Sequence, residues 1–159
     1  MLGTVACGDA PLPEWHVEDG YRWREVVVPR RGSAGFQVVD LSRAGIDFIN
    51  AVRQEDALQN RHLTHGSGVA LGDVDGDGLV DVFLARLDGP NALYKNVGGW
   101  RFEDVSAAAG VEAADRSSTG AVLADVDGDG DLDLLLTALG QGNALFVNDG
   151  AGVFSERPI

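Results

Sequence analysis

Gly68-Val-Ala-Leu71-Gly-Asp73-Val-Asp75-Gly-Asp77-Gly78-Leu-Val-Asp81 decides the fold, because the same stretch returns later in the chain. Shifting the sequence by 52 residues lays it on Gly120-Ala-Val-Leu123-Ala-Asp125-Val-Asp127-Gly-Asp129-Gly130-Asp-Leu-Asp133 without a gap. The match continues outward: Asn91-Ala-Leu-Tyr-Lys-Asn96 falls on Asn143-Ala-Leu-Phe-Val-Asn148, Leu84 on Leu136, Gly98 on Gly150 and Phe102 on Phe154. A period of this size marks a repeat architecture, in which each unit buries its apolar face only against its neighbours.

A weaker echo lies upstream. Phe36 to Ile46 resembles Phe102 to Val111 with one inserted residue, and its spacing to the next copy is 66 instead of 52. That difference predicts an insertion within Asp47 to Thr64. A further copy starts at Phe154, so the chain is expected to be part of a longer array.

Short apolar runs between glycine turns predict four strands in each repeat. In the first they cover Val69 to Gly72, Val82 to Arg86, Ala92 to Asn96 and Arg101 to Val105. In the second they cover Ala121 to Ala124, Leu134 to Ala138, Ala144 to Asn148 and Val153 to Glu156. Four-stranded antiparallel repeats are propeller blades, so the fold class is all-β, with about two blades of an incomplete ring. Residues 36–159 hold the blades, at about 66–111 and 118–159. Residues 1–35 read as an N-terminal segment or linker with a strand in Tyr21 to Val28. Trp15, Tyr21 and Trp23 there read as packing residues. Ser106 to Gly110 predicts a helical turn ended by a left-handed glycine. Leu71, Val74, Phe83, Leu93 and Phe102, with Leu123, Val126, Leu135, Leu145 and Phe154, are expected to form the apolar layers.

The chemistry sits in the hairpin loops. Asp73, Asp75, Asp77 and Asp81 stand at positions 1, 3, 5 and 9 of a calcium loop, with Gly78 at position 6 where the chain must turn sharply. Asp125, Asp127, Asp129 and Asp133 repeat the set around Gly130. Position 7 offers its carbonyl in such loops, here Leu79 and Asp131. Calcium accepts six to eight hard oxygen donors, whereas magnesium demands a strict octahedron and keeps its waters. Two calcium sites are therefore expected. Four carboxylates about 5 Å apart repel by roughly 3 kcal/mol per pair at an effective dielectric near 20, so a loop that merely turned would not carry them. Position 12 holds Leu84 and Leu136 where a helical EF-hand needs a bidentate Glu, which excludes that fold.

These loops, followed by Asn91-Ala-Leu-Tyr-Lys-Asn96 and Phe102-Glu-Asp-Val-Ser, resemble the FG-GAP/VCBS repeat family. The Phe-x-x-Val-Ser-x-x-x-Gly-Val link resembles its cartilage-acidic-protein-like (ASPIC/UnbV-type) members. The resemblance covers residues 36–159 and implies blades of a seven-bladed propeller, as in integrin α-subunit heads, with calcium in a hairpin of each blade. It further implies a secreted or surface-exposed protein acting in adhesion or ligand binding.

Composition agrees with cations as partners. The 159 residues carry 25 Asp and Glu against 12 Lys and Arg, a formal charge of -13. Such a surplus repels nucleic acid and anionic lipid, whose binding requires phosphate neutralisation. No apolar run reaches the roughly 18 residues of a membrane span. Cys7, the one cysteine, permits no internal disulfide. Its setting after Leu2-Gly3-Thr4-Val5-Ala6 loosely resembles a bacterial lipoprotein signal, although Thr4 stands where that pattern prefers an aliphatic residue. The plainer reading is a free thiol. A lipid anchor at Cys7 would be the sole membrane link and would make the chain a periplasmic or outer-membrane lipoprotein.

No Ser/His/Asp order, phosphate loop or Cys/His zinc spacing is present. His62 and His65, three apart before Gly66, read as a solvated loop. The expectation is a non-enzymatic, calcium-built extracellular or cell-surface module that binds protein or carbohydrate and self-associates through open blade faces. The alternatives are a non-catalytic part of a larger secreted enzyme, such as a polysaccharide-degrading one, and a sugar-binding lectin.

Overall fold

Alternating apolar and small residues between glycine turns do form short strands in the computed structural model, which describes residues 14–25, 38–52 and 54–159. The chain divides into two units, residues 1–37 and residues 38–159.

In the first unit, β1 (His16–Glu18) and β2 (Tyr21–Trp23) make an antiparallel hairpin. The Glu18 carboxylate accepts hydrogen bonds from the Tyr21 hydroxyl at 2.7 Å and from Trp23 Nε1 at 3.1 Å. His16 stacks on Trp23 with ring centroids 4.2 Å apart. These rings pair with one another while remaining exposed. The strand stops at Trp23, short of the expected Val28; Cys7, Val28 and Phe36 lie outside the described residues.

The second unit opens with a helical turn, α1 (Leu41–Ala44), a short helix α2 (Gln54–Gln59) and a 3-10 turn at Arg61–His65. The expected insertion is thus largely helical. Glu55 and Asp56 sit in the first turn of α2, where acidic side chains favour a helix start. Two four-stranded antiparallel sheets follow. The first is β3 (Val69–Gly72), β4 (Asp81–Leu84), β5 (Ala92–Asn96) and β6 (Phe102–Asp104), joined in chain order. After α3 (Ser106–Ala109) comes the second: β7 (Ser117–Ala124), β8 (Asp133–Leu139), β9 (Ala144–Asn148) and β10 (Phe154–Arg157). Both sheets are propeller-type blades, and they do not close a ring. β7 runs four residues further upstream than expected, past a register shift between Ser118 and Gly120.

The sheets share one core by offering opposite faces of the same repeated pattern. In the first, the register sets Phe83 beside Ala70 and Leu93, and all three are buried with Val74. In the second, Leu134 pairs with Leu123 and Phe146, and this alternate face meets the core together with Leu136 and Ala144. Side chains alternate across a strand, so each sheet keeps its other face for another neighbour. This stacking corrects the expected core. Phe83 is 1% exposed, but its repeat counterpart Leu135 is 37% exposed; Val74 is 5% exposed and Val126 49%. Leu71, counterpart of the partly buried Leu123, is 63% exposed. Three of the ten expected residues, Leu71, Val126 and Leu135, are thus exposed, with no covering sheet among the described residues.

The innermost strands approach very closely. A Cβ on Gly68 would lie 2.6 Å from both the Ala121 nitrogen and the Gly120 Cα, so only glycine fits there. The upstream echo is partly structural too. Gly45, ending α1, backs onto the Phe102 carbonyl as Gly110, ending α3, backs onto that of Phe154. Gly110 has φ 75°, as the expected capped turn requires. Val38 to Asp40 form no strand, and Phe36 and Gln37 lie outside the described residues, so the echo is seen in the helical turn.

Candidate metal centre

Each Asp-rich loop joins the first two strands of its sheet, β3 to β4 and β7 to β8, which puts both at the same corner of successive blades. The loops are shaped by their own carboxylates. Asp73 accepts hydrogen bonds from the amides of Asp77 (3.2 Å) and Gly78 (2.8 Å), and Asp77 accepts from Leu79 (2.9 Å). In the second loop Asp125 accepts from Gly128 (2.6 Å) and Gly130 (3.1 Å), and Asp129 from Asp131 (3.0 Å). Gly78 and Gly130 have φ of 84° and 100°, a region that L side chains rarely enter.

Position 9 is the anchor of each loop. Asp81 is fully buried; its Oδ2 accepts from Val74 N at 3.0 Å and its Oδ1 from Asn96 N at 2.8 Å. Asp133 does the same with Val126 N and Asn148 N, both at 2.9 Å. One carboxylate thus ties the loop to the third strand of its blade. Burial pushes the Asp81 carboxyl above its ordinary range, although the two amide bonds pull the other way.

The loops gather their carboxylates differently. Asp73, Asp75 and Asp77 bring one oxygen each within 4.8 Å of one another; in the second loop Asp125, Asp127 and Asp133 do so. Asp81 is not among the first three, and Asp129 and Asp131 are not among the second. The Asp131 carboxylate instead lies against Gly150, where a Cβ would come 2.4 Å from its Oδ2. Leu79 is exposed, with its amide given to Asp77. Asp127 is pushed upward by partial desolvation first and then by the neighbouring charges of Asp129 and Asp133. Asp77 is pushed downward, chiefly by the Leu79 amide and further by Lys95.

Lys95 and the two asparagines were the residues that spacing alone did not single out. The Lys95 ammonium contacts Asp75 Oδ2 and lies 3.2 Å from Asp77 Oδ2. Those two carboxylates hold the lysine above its ordinary range. Its counterpart is Val147; the second loop is instead approached by Arg157, 3.8 Å from Asp127. The Lys-for-Val difference, inside an Asn-to-Asn segment that otherwise changes only Tyr94 to Phe146, is the available signal. Asn148 Nδ2 donates to Leu132 O at 3.1 Å, as Asn96 does to Val80 O at 3.0 Å, and reaches Val74 O of the other loop at 2.7 Å.

Residues 73–136, which contain both acidic loops, match the family model for an FG-GAP-like repeat. Over those residues the chain is similar to an FG-GAP-like repeat. It is also 35% identical over 96 residues to cartilage acidic protein 1 of mouse and of human, and 34% identical to that of Xenopus tropicalis. The matched stretch is 60% of this chain and 14% of each relative's length. The FG-GAP-like loops offer carboxylate and carbonyl oxygen without nitrogen or sulfur donors, a set that fits a hard divalent cation.

Proposed function

We propose that this chain is a calcium-binding, non-catalytic extracellular interaction module in which two ions stabilise the blade corners. The reading is carried by one observation: an acidic loop that brings three carboxylates together stands at the same corner of two stacked blades. Calcium would be held in the first loop by Asp73, Asp75 and Asp77 with the Leu79 carbonyl and Asp81. In the second it would be held by Asp125, Asp127, Asp129 and Asp133 with the Asp131 carbonyl. The ion supplies charge neutralisation, offsetting the mutual repulsion of the loop carboxylates.

Extracellular residence is supported by the name of the relatives, which describes an acidic protein of cartilage. The ligand would be protein or carbohydrate, and the uncovered apolar faces of the two sheets favour association with further blades or another copy of the chain. The test is thermal unfolding with calcium and with a chelator. Calcium should raise the melting temperature by several degrees, in a concentration-dependent way, as binding to the native state alone requires. Identical melts in calcium, magnesium and chelator would refute the reading.

A further inference from the structure

Given that both loops take calcium, the reading on which this inference rests, their surroundings are unequal. In the first, an internal cation already lies among the carboxylates: Lys95 reaches across from β5 to Asp75 and Asp77. In the second, position 147 is valine, and Arg157 stays 3.8 Å from Asp127 on a side chain 56% exposed. Asp75 is the more enclosed partner in the lysine pair, at 13% side-chain exposure. An ion pair that solvent only partly screens is harder to displace than an exposed one.

We propose that Lys95 is a built-in competitor for the first loop, so that the two loops fill in order, the second before the first. A calcium ion entering the first loop must draw Asp75 and Asp77 from the ammonium, and Lys95 must turn outward to solvent. No such exchange precedes binding in the second loop beyond release of the exposed Arg157. The FG-GAP-like repeats thereby acquire one site that is occupied readily and one that responds only at higher calcium. In the absence of calcium, Lys95 keeps the first loop in shape by offsetting part of the charge of the two carboxylates beside it.

The experiment is a calcium titration of the full chain followed by amide NMR signals of Gly78 and Gly130, which report the two loops separately. It is repeated on Lys95→Val, which copies the second repeat, and on Val147→Lys. The Gly130 transition of the native chain should come at roughly fivefold to tenfold lower calcium than that of Gly78, as expected for displacing a partly screened pair. Lys95→Val should bring the Gly78 transition down to meet it. Val147→Lys should move the Gly130 transition up. Before calcium is added, Lys95→Val should also speed hydrogen exchange at the Asp77 and Gly78 amides. Coincident transitions in the native chain, or a Gly78 transition unmoved by Lys95→Val while both loops bind, would overturn the competition and leave calcium binding intact. Absence of any calcium response in all three proteins would overturn the calcium reading and this inference together.

Discussion

The side-chain amide of Asn148 donates to the carbonyl of Val74 at 2.7 Å, linking the third strand of the second blade to the carboxylate loop of the first. Val74 is held from both sides, because its own amide donates to Asp81. Each loop is therefore fastened within its blade by an aspartate, and the first loop is fastened to the next blade by an asparagine. Asn148→Ala should cost about 1–3 kcal/mol, the penalty for leaving buried backbone groups unpaired. Asn96→Ala removes the equivalent bond within its own blade and should cost clearly less. Urea unfolding of both variants measures the difference, and equal losses would contradict the bridging role.

Phe83 and Leu135 occupy one repeat position and should behave oppositely. Phe83→Ala removes a fully packed ring and should cost about 3–5 kcal/mol. Leu135→Asp lies on a face without a covering sheet among the described residues, so it should leave the fold largely intact and weaken self-association. Sedimentation at several concentrations reads the second effect. A native chain that stays monomeric at every concentration would show that the uncovered face is not used in this way.

The sequence alone made the strands, the helical turn before Gly110 and the two loops legible, because each is written in local signals that the 52-residue repeat doubles. It left open which side of each strand is covered. Alternation marks both faces of a blade strand as apolar, and only stacking decides that Phe83 is enclosed while Leu135 and Val126 are not. Spacing likewise marked Asp81 and Asp133 as loop members without revealing that both oxygens of each accept backbone amides. The contact of Lys95 with Asp75 joins residues from different strands, and no local pattern records it.

Asp81→Asn and Asp133→Asn should each destabilise the metal-free chain by about 1–3 kcal/mol, since an amide oxygen replaces only one of two buried acceptors. Asp77→Asn, at the exposed end of the first loop, should have little effect on that stability and act on ion binding alone. Chemical unfolding in chelator distinguishes the two classes; a large metal-free loss for Asp77→Asn would contradict this division.

Gly68→Ala and Gly120→Ala are again equivalent in sequence and unequal in space. A Cβ at position 68 meets backbone of the neighbouring strand, which cannot move aside, so overpacking should cost about 1–3 kcal/mol or more. At position 120 it meets the Thr137 hydroxyl at 2.6 Å, a side-chain end able to rotate, and the cost should be smaller. Thermal unfolding of the pair tests whether β3 and β7 pack as described.

Isothermal titration of the full chain with calcium measures whether both loops bind the ion. Two calcium ions per chain are expected, with affinities of roughly 0.1–1 mM, as in extracellular modules. Asp77→Ala and Asp129→Ala should each remove one ion. No calcium heat, or a stoichiometry unchanged by either substitution, would contradict the claim.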